Sequence, residues 1–142
     1  MKTKCIKTLA ISTFIVLCAI TATFAQCDKA VTLKSSETSF LDGQGNVTRT
    51  KAEDVVVTIT PTDITIEPND DPKMTGKISS KTCNWTVPFK EGRMVIKSTI
   101  TGQGDEKHIT VTVEGKGGKV TLTFEAEEMK DRKIQIVADK FE

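Results

Sequence analysis

Apolar and polar residues alternate with a period of two along most of the chain after its first 25 residues. A strand that is buried on one face requires this pattern, because successive side chains point to opposite faces of a sheet. The polar positions are mainly Thr, Lys and Glu, and the β-branched residues among both sets suit a pleated surface. The pattern therefore predicts an all-β chain. The apolar members of the alternating segments are Val55, Val57, Ile59, Ile64, Ile66, Met94, Ile96, Ile100, Ile109, Val111, Val113, Val120, Leu122, Phe124, Ala126, Ile134, Ile136 and Ala138.

Short segments rich in Gly, Pro, Asn, Asp or charged residues separate the alternating runs, as turns require. They lie at 42–46, 68–72, 91–92, 102–105, 115–118 and 129–132. Weaker strands are predicted at 30–35, 48–51 and 73–87. Because short connections make neighbouring strands antiparallel, we expect an antiparallel meander of about eight to ten strands.

The meander is predicted to close into an up-and-down barrel. An open meander with one apolar face would leave two strand edges and that face exposed, and closure removes both problems. A Greek-key sandwich needs long crossing connections, for which the sequence gives no sign. A two-layer sandwich is the alternative architecture.

The start of the chain has the three parts of a secretory signal. Three lysines precede residue 8, an uncharged and mostly apolar run follows to residue 24, and small residues Thr23 and Ala25 precede a cleavage site before Gln26. A transmembrane anchor is the alternative, but the apolar run is short and no basic stop-transfer cluster follows it. We therefore expect a signal peptide at 1–25, a single all-β domain at 26–142, no transmembrane span in the mature chain, and export to the periplasm or beyond the cell.

Two cysteines, Cys27 and Cys83, remain in the predicted mature chain. A disulfide between them is the natural expectation in an oxidising compartment. The alternative is a lipid anchor on Cys27, although Gln26 fits poorly where a lipoprotein signal has a small residue. The spacing of the two cysteines matches no metal-binding motif.

Composition excludes several classes of protein. The chain is 37% hydrophobic and 27% charged, which argues against disorder and against several membrane spans. Three of the 20 basic residues lie in the predicted signal, so the mature chain has 17 basic and 19 acidic residues. This balance argues against a nucleic-acid partner, because phosphate binding needs an excess of clustered Lys and Arg.

Candidates for catalysis or metal binding are few. His108 is the only histidine and lies on the polar face at the start of a predicted strand, beside Glu106 and Lys107, where a solvated strand end is expected. Several carboxylates lie in predicted turns, where Asp is ordinary turn chemistry and where a calcium site would need about six to eight converging oxygens. These carboxylates are Asp42, Asp70, Asp71 and Asp105.

Known catalytic motifs are also missing from the sequence. It contains no GxSxG, HExxH or GxxxxGK[ST]. Paired carboxylates for sugar hydrolysis would usually be accompanied by aromatic platforms, and the chain has one Trp and no Tyr. We therefore expect neither an enzyme nor a cofactor or metal site.

The outline of the chain resembles small secreted bacterial lipocalin-like β-barrel proteins. The resemblance lies in the export signal and in the alternating segments that begin at Val55, Ile109 and Val120, and it implies a barrel with an apolar inner face. The leading hypothesis is an exported, non-enzymatic barrel that binds a small apolar ligand in its interior. The predicted cavity residues are Val57, Ile59, Ile96, Ile109, Val111, Leu122, Phe124 and Ile136, with Trp85 at the mouth.

The sequence leaves two alternatives open for these inward side chains. Trp85 could instead be a core residue packed beside the disulfide. The same inward side chains could also fill a small barrel completely. In that case the protein would be an envelope or secreted interaction module, which binds an unidentified protein partner through a sheet edge or its loops.

Overall fold

The computed structural model describes residues 26–102 and 104–142, and the signal peptide predicted for 1–25 lies outside the described residues. The described residues form nine strands. In chain order they are β1 (Val31–Asp42), β2 (Val47–Ile59), β3 (Asp63–Pro68), β4 (Met74–Val87), β5 (Glu91–Gly102), β6 (Asp105–Lys116), β7 (Lys119–Ala126), β8 (Arg132–Val137) and β9 (Lys140–Phe141).

Consecutive strands from β1 to β8 pair in antiparallel hairpins, and β1 also pairs with β8. This last pairing closes the sheet into an eight-stranded up-and-down barrel, with β9 as an extra short strand. The structure thus confirms the all-β class, the antiparallel meander and the barrel that was favoured over a sandwich. It has the architecture that the resemblance to lipocalin-like barrels implied.

Strand β1 runs the full height of the barrel. It pairs with β2 on one side, and on its other side the partner strand changes halfway along from β9 to β8. Residues 38–42 pair with β8, whereas Leu33 and Lys34 pair with β9. A register shift between Ser35 and Glu37 marks the change, and there the backbone N–H of Ser36 donates to Asp139 Oδ2 at 2.7 Å. Such a bulge bends a strand and re-aims the side chains that follow it.

One end of the barrel, here named the closed end, is filled with side chains. It contains the β2–β3, β4–β5 and β6–β7 turns and strand β9. Trp85 lies there with 2% exposure, and its ring centroid is 5.6 Å from that of Phe141. Gly92 and Gly115 give the indole room, because a Cβ at these positions would lie 2.9 and 2.7 Å from its ring atoms. Large apolar side chains around it make this half a packed core.

The disulfide predicted between Cys27 and Cys83 is present, with the two Cα atoms 5.8 Å apart. The sulfur that a lipid anchor would use is therefore in the disulfide. Two further contacts bind the segment before β1 to the closed end. Lys81 Nζ donates to the Cys27 carbonyl oxygen at 2.6 Å, and the Phe89 N–H donates to Gln26 Oε1 at 2.9 Å.

Strand β4 is longer than its neighbour β3, with 14 residues against 6. Only residues 74–77 of β4 pair with β3. Within residues 26–102 and 104–142, the rest of β4 pairs with β5 alone. No helix among the described residues is long and apolar enough to cross a membrane.

Candidate ligand-binding cavity

The end of the barrel opposite Trp85, here named the open end, contains a cavity of about 790 Å³. Its mouth is formed by residues next to the β1–β2, β3–β4, β5–β6 and β7–β8 turns, and its volume lies in the range of small-molecule sites. Most of the wall is apolar. The apolar lining residues are Phe40, Leu41, Val55, Ile66, Pro68, Pro72, Met74, Ile100, Ile109, Phe124, Ala126, Met129, Ile134 and Ile136.

The cavity exists because the two halves of the barrel differ in the size and polarity of their inward side chains. The interior of an eight-stranded barrel is just wide enough for side chains to fill it or for one small ligand. At the closed end, Trp85 and Leu33 occupy this space and are almost completely buried. At the open end, the inward positions include the short side chains of Thr38 and Ala126, which leave the space empty.

One wall of the cavity, on β1 and β2, is polar. Thr38 is 4% exposed and lines the cavity, and its Oγ1 has no hydrogen-bond partner in the described part of the chain. Thr38 lies opposite Lys51 in the pairing of β1 with β2. Glu53 follows two residues later on the same face of β2 and also lines the cavity.

Lys51 is surrounded by three carboxylates. Its Nζ lies 2.6 Å from Glu53 Oε2, 3.5 Å from Asp70 Oδ2 and 3.6 Å from Asp71 Oδ2. The hydrogen bond to Glu53 is the main reason that the pKa of Lys51 is raised. The side chain of Glu53 is only 5% exposed. These four residues are named here the Lys51 cluster.

The remaining charges at the mouth are mixed in sign. The guanidinium of Arg49 lies 4.2 Å from the centre of the Phe40 ring, a favourable cation–π geometry. Asp42 accepts the backbone N–H of Asn46 at 2.9 Å, and hydrogen bonds from Asn46 are the main cause of its lowered pKa. Lys133 pairs with Glu125 at 2.7 Å. The turn carboxylate of Asp42 thus serves the turn, as its residue type suggests.

The nine residues proposed from the sequence fall into two groups. Ile109, Phe124 and Ile136 line the cavity. The other six pack in the core with at most 2% exposure, namely Val57, Ile59, Trp85, Ile96, Val111 and Leu122. Trp85 lies at the closed end and not at the mouth, and it belongs to the core cluster against which Cys83 packs. The alternation identifies the inward face of a strand, but it does not give the height of a residue along the barrel.

The polar wall was not proposed from the sequence, although one signal for it exists. Lys51 and Glu53 continue the alternation of Val55 toward the start of β2, so extending that inward face by two positions would have placed both side chains inside. Thr38 was harder to find. The register shift between Ser35 and Glu37 moves the inward face from odd to even positions.

His108 lies outside the cavity, with a side chain that is 60% exposed. Its Nδ1 is 2.9 Å from Glu128 Oε1, and its backbone N–H donates to the same oxygen at 3.0 Å. These hydrogen bonds lower the pKa of Glu128 to about 2, and the side-chain hydrogen bond raises the pKa of His108. Among the described residues, no group of three His, Cys, Asp or Glu side chains is arranged to hold a metal ion.

Comparisons of the chain with models of known protein families, with curated proteins and with solved structures find no match. The geometry of the cavity is therefore the basis for inferring a function.

Proposed function

We propose that this protein is an exported, non-enzymatic β-barrel that binds a small, mainly apolar ligand in the cavity at its open end. The observation that carries this proposal is the cavity itself. It measures about 790 Å³, its wall is mainly apolar, and its floor is the packed core. Concave, largely apolar sites with a few polar groups are the usual form of small-molecule sites.

The energetics favour an apolar ligand. The partly buried side chains of Phe124 and Met74 face the cavity, so a ligand that covers them removes their apolar surface from water. Each Å² of apolar surface removed from water contributes about 25 cal/mol. A ligand that covers this wall would therefore gain free energy without any rearrangement of the strands.

The non-enzymatic part of the proposal is supported by the placement of the polar groups. Glu53, which lies in the cavity wall, is already bonded to Lys51. His108, the one histidine, lies on the outer surface. Export is supported by the Cys27–Cys83 disulfide, since disulfides are typical of oxidising compartments.

The test is native mass spectrometry of the protein purified from its own host, before and after solvent extraction. We expect a bound mass that disappears on extraction, and a thermal shift when apolar compounds are added back. Ala126→Trp should fill the cavity and abolish both signals. Thr112→Trp, on the outer face of β6, is the matched control and should leave them intact. A bare mass with no thermal shift from any apolar compound would exclude the carrier function.

A second candidate, an exported protein-interaction module, is supported by the unequal lengths of β3 and β4. Beyond residue 78, β4 has β5 as its only strand partner in the described part of the chain. Its other edge can accept a strand from a partner protein. Hydrogen exchange would test this candidate, because a bound strand should protect the amides of 80–86 while leaving the cavity residues unchanged.

A further inference from the structure

The polar wall of the cavity carries a group that lacks a partner. Thr38 is 4% exposed, and its Oγ1 has no hydrogen bond in the described part of the chain. Buried hydroxyls are normally paired, because burying one without a hydrogen bond is unfavourable. Since Thr38 lines the cavity, a polar group on the ligand is the partner that the fold leaves room for.

The charged residues near Thr38 on this wall indicate which polar group of a ligand would fit there. The Lys51 cluster contains one ammonium and three carboxylates. Glu53 and Asp71 line the cavity, whereas Lys51 does not, since its Nζ faces the three carboxylates. Arg49 of β2 also lines this wall, with its guanidinium over the Phe40 ring. The three carboxylates of the Lys51 cluster still outnumber the cations Lys51 and Arg49, so the ligand would meet oxygen acceptors and a small excess of negative charge.

The cations of the mouth do not reverse this balance. The cationic lining residues are Arg49, Lys107, Arg132 and Lys133, and the acidic ones are Asp42, Glu53, Asp71, Asp105 and Asp131. The rim is therefore mixed in charge. Of the two carboxylates of the Lys51 cluster that line the cavity, Glu53 is the more buried, with a side chain that is 5% exposed against 60% for Asp71.

We propose that the cavity selects amphipathic amines. This inference rests on the proposed function and specifies its ligand class. The apolar body of the ligand packs against the wall of β4 to β8, and its protonated amino group reaches Thr38 Oγ1 and the Glu53 carboxylate. An ammonium offers three donors and no acceptor, and its hydrogen bonds to a carboxylate are of the strong, charge-assisted type. A fatty acid with the same tail would bring a fourth carboxylate into the Lys51 cluster, which like-charge repulsion opposes.

Three probes with one tail and different head groups test the proposal, namely dodecylamine, dodecanol and dodecanoate. Affinities would be measured by titration calorimetry at neutral pH, below the concentration at which the probes form micelles. We expect dodecylamine to bind roughly tenfold to a hundredfold more tightly than dodecanoate, with dodecanol between them.

Variants of the polar wall separate the head-group effect from binding of the tail. Glu53→Gln keeps the shape of the side chain and should reduce the affinity for dodecylamine to about that for dodecanol. Asp71→Asn, at a side chain that is 60% exposed, should weaken dodecylamine binding in the same direction with little effect on folding. Thr38→Val should weaken both the amine and the alcohol. Glu114→Gln, at an exposed outer position of β6, is the matched control and should change nothing.

The outcomes distinguish this inference from the proposed function. Equal affinities for the three probes, or a preference for dodecanoate, would overturn the amine proposal and leave a cavity that binds apolar tails. Binding of dodecylamine that is unchanged by Glu53→Gln, Asp71→Asn and Thr38→Val would also overturn it, because the amine would then lie elsewhere. If no probe binds, the proposed function fails, and the amine proposal fails with it.

Discussion

Removal of the Cys27–Cys83 disulfide should strongly destabilise the fold while leaving the cavity unchanged. The bridge holds the segment before β1 against β4 at the closed end, and the cavity lies at the other end of the barrel. The perturbation is the double substitution of Cys27→Ala and Cys83→Ala. Reduction of the wild-type protein is an independent way to break the same bond.

The magnitude follows from the length of chain that the disulfide closes. The sequence separation is 56 residues, and the loss of chain entropy in the unfolded state then corresponds to about 4 kcal/mol. The contact of Lys81 with the Cys27 carbonyl oxygen adds to this if the freed segment moves away. A urea slope of roughly 1–3 kcal/mol/M would turn that loss into a midpoint lower by about 1.3–4 M.

The assay is equilibrium unfolding in urea, followed by the fluorescence of the single Trp of the chain, which is buried at the closed end. The double variant and the reduced wild-type protein should show the same lowered midpoint. Probe binding at the open end should keep its affinity while the variant is folded. A loss below about 1 kcal/mol would refute the chain-entropy reasoning, and weakened probe binding by the folded variant would refute the independence of the two ends.

Two further predictions concern packing and pH. Gly115→Ala would place a Cβ 2.7 Å from Trp85 Cζ3 and 2.6 Å from the Lys90 carbonyl oxygen, so we expect a loss of about 1–3 kcal/mol in thermal unfolding; an unchanged melting temperature would contradict this. An NMR titration should give His108 a pKa above its ordinary 6.5, and Glu128→Gln should return it toward that value. The contribution of His108 to stability is complete below pH 6.5 and is lost as pH rises through the raised pKa. That of Glu128 is complete above pH 4.5 and is lost as pH falls toward 2. A His108 pKa that is the same with and without Glu128 would contradict the pairing.

The strand pattern of the sequence was enough to predict the class and closure of the fold. Period-two alternation reports directly on half-buried strands, and short turns force antiparallel neighbours. The disulfide was predictable because only two cysteines follow the expected signal. Strand boundaries were less accurate. Segments 48–51 and 55–59 form one strand, β2. The prediction divided them because Lys51 and Glu53 occupy inward positions, where their charges interrupt the apolar alternation.

The cavity was predictable only in part, for two physical reasons. The inward residues of a barrel look alike in sequence, whether they lie at the packed end with Leu122 or at the cavity with Phe124. Their height depends on strand register, which short-range patterns do not contain. In addition, the bulge in β1 changes which residues face inward, so Thr38 could not be found from the alternation of Leu33 and Ser35.

The division of the barrel into a packed end and a hollow end also bears on how such a protein changes over evolutionary time. Most substitutions destabilise, and new binding sites usually arise at some expense in stability. Here the side chains around Trp85 and the disulfide secure the fold at one end, while the proposed ligand cavity lies at the other. Under the proposed function, substitutions at positions such as Ala126 or Thr38 would alter what is bound while the packed end still holds the barrel together. This separation would let related barrels acquire different ligands on one unchanged framework.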